Sequence, residues 1–575
     1  MTDLQRRSSP RRLVGLSGRL LAVLTAAALL AGCGPDSPDG GAGSPGGKPS
    51  PQKDSIAIAS IIESLQPDEF DISVPRELPT TYLNNWGDKN LETILSDDVD
   101  EDKLKTQLSS LLTEEQVQFV LRREFVIRDS VHIRDMIWAR KLIDEKLVDD
   151  EPELALLTRL FYHVVHTVRL IDDVETPLPL SPFEAMLYGR GTAEDRAWIF
   201  SCLTRQLKLP FLLVVLGQDE NSTEATDAKQ NSPLIGGLLH DGKVYLYDFQ
   251  IGLPIPSASS PPEDPLPGLP ATLEEVQKND ALLRALDVDD LPYRASASQF
   301  QTAKLLLIGE SSVWARRVEA VTYEMPKSNS TPVIWEPLVS HGAFAAEGII
   351  DIVTESVAGL IKSDAIGVWD YPEGQRSARE TLTTEQKSLL DRIHEPMSAP
   401  RPYRQSLDTG TPPKLEYGSG RQMQLKARVA QVLGRPQDAI PLYVRIQTWR
   451  NTAPKADPKQ LIDDALLEQA KQLPEEILKL HSRASLETSF WQATSQLELG
   501  RHSAAASAFD FWIRTSPSPE LTGQAILLIA LSRAQQGDLI IGGGFLKRLP
   551  KENASYQKAQ ILKKRWQAIE DGKGN

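Results

Sequence analysis

Apolar side chains recur mainly at helical spacing along this chain. Leu104, Leu108, Leu111 and Leu112 fall one turn apart, and Thr113-Glu114-Glu115-Gln116 reads as a helix start with an acidic first turn. Leu154 to Leu170 continues as a helix with a strong apolar face. The pattern changes after a further helix from about Ala193 to Leu207: the unbroken apolar run Phe211–Leu216 predicts a buried strand. Leu234–Leu239 and Lys243–Phe249 flank His240-Asp241-Gly242, and the Asp-Gly pair predicts a β-hairpin. Residues 254–270, rich in Pro and Ser, predict an extended surface connection. Helical spacing returns from Thr272 to about Ala399, interrupted by a strand-like stretch near Ala320–Glu324. The expected fold class is therefore α+β and mostly helical. Residues 55–183 form a helical region and 184–256 a small antiparallel sheet with a packed helix. Residues 257–399 form a mainly helical extension, 400–418 a polar linker, and 419–575 an α-helical repeat array.

The first residues follow a different rule. Arg6, Arg7, Arg11 and Arg12 precede the apolar run Leu20–Leu30, which is too short to span ~30 Å of hydrocarbon and suits a cleaved signal sequence over residues 1–32. Leu30-Ala31-Gly32-Cys33 resembles the bacterial lipobox, and that resemblance implies cleavage before Cys33 and lipid on its sulfur and new amino terminus. Gly34 lacks the acidic inner-membrane retention signal, which points to an outer membrane. Residues 33–54 carry almost no apolar side chains after the cysteine and read as a tether, reaching roughly 25 Å on random-coil scaling.

Composition narrows the function. At 575 residues the chain exceeds one ordinary core, so several domains are expected. A formal net charge of -15 repels phosphate backbones, so no nucleic-acid partner is expected. The cysteines are Cys33 and Cys202; with Cys33 lipidated no intrachain disulfide forms, and without a Cys-x-x-Cys pair no cysteine-built metal site does. His163 and His166 lie at i, i+3 in an apolar run without a third ligand placed by any motif, so they read as core histidines. Neither cofactor nor metal is expected.

Gly189-Arg190-Gly191-Thr192-Ala193-Glu194-Asp195 followed by Arg196-Ala197-Trp198-Ile199-Phe200, together with the hairpin ending Val244-Tyr245-Leu246-Tyr247-Asp248, resembles the transglutaminase-like superfamily. The resemblance covers about 70 residues. It implies a papain-like arrangement: a cysteine nucleophile at a helix start where the dipole lowers its pKa, a histidine base on the first hairpin strand, and an orienting carboxylate on the second. Carried over, the nucleophile position is Ala193, the base position falls near Pro233, and only the carboxylate, Asp248, remains. A methyl group cannot attack a carbonyl, so the degenerate triad implies a pseudoenzyme. A triad of Cys202, His240 and Asp248 can be drawn, but Cys202 lies more than two turns into its helix among Ile199, Phe200 and Leu203.

In the last third, Gly434, Gly500 and Gly537 each close one helix and open another. Ala427, Ala439 and Tyr443 around the first, and Ala493, Ala505, Phe509 and Pro517 around the second, fall at offsets that resemble tetratricopeptide repeats, with a degenerate unit near Asp463–Leu480. The resemblance implies a concave face that binds a protein partner. Lys547, Lys551, Lys558, Lys563, Lys564 and Arg565 read as a solvated basic face.

The function expected is a non-catalytic scaffold of the bacterial cell envelope, anchored through Cys33 on the periplasmic side and recruiting a protein through its repeats. The alternatives are a thiol enzyme acting on peptide or amide bonds with Cys202 as relocated nucleophile, and a peptide- or carbohydrate-binding module.

Overall fold

The computed structural model describes residues 51–573 apart from internal segments, the longest at 218–232 and 453–474. Residues 1–50 lie outside the described residues, and with them Cys33, the expected signal sequence and most of the tether. Apart from Pro51, everything below belongs to the compact unit Gln52–Asn575. The chain is mostly helical with a small mixed sheet.

Six helices open the unit: α1 (Pro51–Ser64), α2 (Glu77–Ile94), α3 (Glu101–Ser109), α4 (Glu114–Leu121), α5 (Ile127–Lys146) and α6 (Glu153–Thr167). The start of α4 is the one its sequence predicts: the Gln116 N–H donates to Thr113 Oγ1 at 3.3 Å, and the Thr113 N–H donates to Gln116 Oε1 at 2.9 Å. Helix α5 is buried almost all round, so its charges must be paired inside the protein. Asp129 takes the Arg317 guanidinium on both oxygens, and Asp135 takes Arg134 at 2.7 Å and Arg376 at 2.9 Å.

A short parallel pair, β1 (Arg169–Leu170) with β2 (Arg190–Gly191), brackets α7 (Pro182–Tyr188). Gly189 ends α7 in the left-handed region at φ 65°, and Thr192 caps the central helix α8 (Ala193–Gln206). The main sheet holds β3 (Phe211–Val215), β4 (Ile235–His240), β5 (Lys243–Asp248), β6 (Leu253–Pro254), β7 (Lys304–Ile308) and β8 (Ile366–Trp369) in the order β6-β5-β4-β3-β7-β8. All neighbours are antiparallel except β7 and β8. Helix α8 packs on β3 and against α5 and α6, sharing a core of Phe161, Phe200, Phe211, Tyr247 and Phe249.

Two expectations change here. The stretch near Ala320–Glu324 is not strand but the end of helix α12 (Arg316–Glu324). Its β-branched and aromatic residues favour a strand locally, yet fully buried Arg317 fixes the segment by donating to Asp129 and to the carbonyls of Phe119 and Arg122. The sheet also runs past residue 256, since β7 and β8 come from the stretch read as a helical extension. Before β7 lie α9 (Leu273–Lys278), α10 (Ala281–Arg284) and α11 (Ala297–Gln301), between β7 and β8 lies α13 (Ile349–Ser356), and after β8 come α14 (Tyr371–Glu380) and α15 (Thr384–His394). Within the expected linker, β9 (Pro402–Arg404) and β10 (Leu415–Tyr417) pair antiparallel.

The rest is helical: α16 (Met423–Val432), α17 (Pro436–Thr452), α18 (Glu475–Glu498), α19 (His502–Thr515), α20 (Pro519–Ala534), α21 (Leu539–Leu546) and α22 (Tyr556–Lys573), each packed against the next. Gly434, Gly500 and Gly537 turn the chain at φ of 78°, 68° and 86°. Ala427, Ala439, Ala493 and Ala505 are buried where helices meet, and Tyr443 and Phe509 fill the layer beside them. Most of the expected degenerate unit near Asp463–Leu480 lies outside the described residues.

Candidate functional site

The N-terminus of α8 and the end of β5 are where the sequence places a degenerate triad. Ala193 opens α8, buried, with no side-chain atom beyond its methyl. The cap beside it is closed on itself: the Thr192 N–H donates to Asp195 Oδ2 at 2.9 Å, and the Asp195 N–H donates to Thr192 Oγ1 at 3.2 Å. Tyr371 from α14, stacked on Trp369, covers the cap and donates to Asp195 Oδ1 at 2.9 Å. Burial pushes the Asp195 carboxyl up to about 6, against the pull of these hydrogen bonds.

Asp248 ends β5, fully buried. One oxygen accepts the N–H groups of Gln250 and Ile251 at 2.8 and 3.0 Å, and the other accepts the Tyr293 hydroxyl at 2.8 Å. Its carboxylate therefore builds the turn into β6. Burial raises it to about 6, while the turn amides, Tyr293 and the Arg196 charge draw it down. Pro233 precedes β4 rather than lying in it; the residue directly across from Asp248 is Ile235, also fully buried. No imidazole occupies either position.

The alternative triad is not assembled. His240 pairs with Lys243 at the turn end of the hairpin, five residues or roughly 17 Å of strand from the Asp248 end. Its Nδ1 lies 3.4 Å from Glu153 instead. Cys202 is nine residues up α8 from Ala193, roughly 13 Å along the axis, and fully buried. Burial pushes its thiol up to about 12, the opposite of an activated nucleophile.

Buried cations that sequence reasoning missed surround Asp248. Arg196 on α8 donates to the carbonyls of Val165, Val168 and Phe249, and burial lowers its pKa to about 9. Lys558 from α22 reaches in and donates to the Gly252 carbonyl at 2.9 Å. Burial first, then Arg196, lower its pKa well below that of an ordinary lysine. Lys564 donates to the Asp287 carbonyl, and Arg565 to those of Asp264 and Pro261. Three members of the basic tail read as solvated thus hold the last helix onto the core. An arginine inside an apolar run, as in Arg196-Ala197-Trp198-Ile199-Phe200, was the available signal for Arg196; nothing near Lys558 in the chain points to Gly252.

The array is clamped to the core along α16, α18, α20 and α22, every second helix. Arg428 donates to the carbonyls of Leu187 and Met186 at 2.9 and 2.7 Å, and its guanidinium lies 3.7 Å from the Trp491 ring centre. Trp138 Nε1 donates to the Val432 carbonyl, and Gln524 to the His166 carbonyl. His163 and His166 are half-buried on α6 beneath this seam, each Nε2 closed from solvent without a hydrogen-bond partner. Among the described residues no group of three His, Cys, Asp or Glu side chains could hold a metal ion.

A small cavity of about 50 Å³ is lined by Val131, Leu180 and Trp198 together with Arg128, Arg376 and Arg379, and by none of Ala193, Pro233 and Asp248. Arg376 stacks on Trp198 and clamps Glu310, which also accepts from His132. Burial opposes the Glu310 charge, but Arg376 and His132 hold the carboxyl far below the usual range. The Arg379 Nη1 is buried without a partner, while its Nη2 pairs with Glu184.

Compared with known proteins, the chain gives no match to any family model, curated protein or solved structure.

Proposed function

We propose that the chain is a non-catalytic scaffold lipoprotein of the bacterial cell envelope, anchored through lipid on Cys33 and built around a transglutaminase-like core that has lost its chemistry. The observation that carries this reading is the fate of Asp248: its oxygens are taken by Tyr293 and two turn amides, with Ile235 across the strand and neither thiol nor imidazole beside it. Acyl transfer through a thioester needs both groups. The helices after residue 419 act as tetratricopeptide-like repeats, but their partner surface lies on the outward helices α17 and α19, because the inward ones grip the core. Metabolic labelling with a fatty-acid probe tests the anchor: the full chain incorporates label and Cys33→Ser does not. Label retained in Cys33→Ser refutes the anchoring site. Transamidase or amidase turnover by the purified chain, abolished by Cys202→Ala, refutes the non-catalytic reading.

A second reading, a binding module for the carboxylate end of a peptide, draws on the cavity beside Trp198 and the unpartnered Arg379 Nη1. Calorimetric titration with short peptides and their C-terminal amides decides it: heat that needs the free carboxylate and disappears in Arg379→Ala supports binding, and equal heats oppose it.

A further inference from the structure

Helix α21 breaks the usual division between inside and outside. Its sequence, Leu-Ile-Ile-Gly-Gly-Gly-Phe-Leu, contains no polar side chain over eight residues. A helix apolar all round belongs in a core or in lipid. Yet only Leu539, Gly542 and Leu546 are buried, where α21 packs on α20 and α22. Ile540 is 75% exposed, its neighbour Ile541 51%, and Gly544 is open to solvent. The exposed face leads directly into exposed Lys547 and Arg548, and Arg548 lies over the Phe545 ring at 5.4 Å. Exposed Lys551 continues the basic edge; the acidic groups nearby are Asp538, within 3.9 Å of Arg533, and exposed Glu552.

We propose that α21 is a membrane-contact element: Ile540, Ile541 and Phe545 insert into the headgroup–acyl boundary of an anionic bilayer, and Lys547 and Arg548 engage lipid phosphates. The inference rests on the anchored reading above for its biological setting but not for its physics. Two observations favour lipid over protein. The first is charge: a chain of formal net charge -15 places cations immediately beside its most exposed apolar helix, while Lys558, Lys564 and Arg565 are engaged with core carbonyls. The second is size. A helix about 12 Å long and ~10 Å across presents on the order of 200 Å² on its outer half, far short of the ~800 Å² each partner contributes to a stable protein interface. A bilayer needs no matching surface; it takes a shallow apolar face with a cationic rim.

The test uses residues 33–575 with Cys33→Ser, which removes the expected signal sequence and lipid but leaves the unit Gln52–Asn575 whole. Vesicles of phosphatidylcholine with 30% phosphatidylglycerol, sedimented at low salt, are expected to carry this protein down; pure phosphatidylcholine vesicles carry down at least tenfold less. Ile540→Asp/Ile541→Asp is expected to weaken the anionic-vesicle partition at least tenfold, and Lys547→Glu/Arg548→Glu at least fivefold, with unchanged thermal unfolding showing that both variants stay folded. Equal partition of parent and variants, or no binding by the parent, overturns the proposal. Light scattering that shows a dimer abolished by Ile540→Asp/Ile541→Asp, with vesicle binding unchanged, also overturns it and assigns the face to a second copy. The two readings fail separately: an unlabelled Cys33 with vesicle binding intact removes the anchor and keeps the contact.

Discussion

The two faces of the C-terminal array are built by opposite rules. The inward helices α16, α20 and α22 bring polar and charged groups to the core and satisfy them there, on backbone carbonyls. The outward helices α19 and α21 show Phe511, Ile540 and Ile541 to solvent. In an ordinary solenoid the concave face is left for a partner. In this chain the inward helices already hold the chain's own core, and exposed apolar side chains remain on the outward ones. Helical spacing with turn glycines thus specifies that helices stack but not which side stays exposed.

The strongest way to break this comparison is Arg428→Ala. It removes a buried guanidinium that serves two carbonyls and stacks on Trp491, and the loss is expected to reach about 3–5 kcal/mol in chemical denaturation. Arg428→Lys recovers little, because one ammonium cannot match the planar fork. A loss below 1 kcal/mol would show the seam to be incidental. Next comes Tyr293→Phe, which strips one hydrogen bond from buried Asp248 and is expected to cost about 1–2 kcal/mol.

The pH response sharpens the same seam. Burial lowers His163 and His166 well below the ordinary histidine value, so the unfolded chain binds more protons than the folded one between their depressed values and about 6.5. Their contribution is fully present above about 6.5 and is lost as pH falls through that window. Asp195 and Asp248, raised to about 6, act with the opposite sign between 3.8 and 6, because there the folded state holds the extra protons. The denaturation midpoint at pH 5.5 relative to that at pH 7.5 should therefore be higher in His163→Gln/His166→Gln than in the parent; an unchanged difference removes the histidines from the account. The smallest effect belongs to the outer face. Phe511→Ser, at a site 64% exposed, should move stability by less than about 0.5 kcal/mol.

How much of this was readable depends on how far a residue's partner lies along the chain. The hairpin was legible because Asp241 and Gly242 take φ of 49° and 70°, which an Asp-Gly pair accepts, and β4 and β5 fall within a residue of the segments that flank it in the sequence. The glycines at 434, 500 and 537 were legible for the same reason. Even the partner of Asp248 was available: with a two-residue turn at 241–242, paired positions sum to 483, which gives Ile235 rather than Pro233. Strand β8 was not legible, since four residues carry little periodicity and its pairing with β7 bridges 61 positions from Leu305 to Ile366. Nor was the role of Lys558 or Arg428, whose acceptors lie 306 and 241 residues away. Local pattern encodes turns and caps; a buried cation is explained only by carbonyls that the fold brings to it.

Gly189 carries a consequence for the order of assembly. A Cβ at that position would collide with the Trp491 ring, and the left-handed backbone disfavours any side chain there as well. The turn after α7 is thus a socket that must be finished before α18 can seat. A chain that emerges N-terminus first makes this socket some 300 residues before its plug, Trp491.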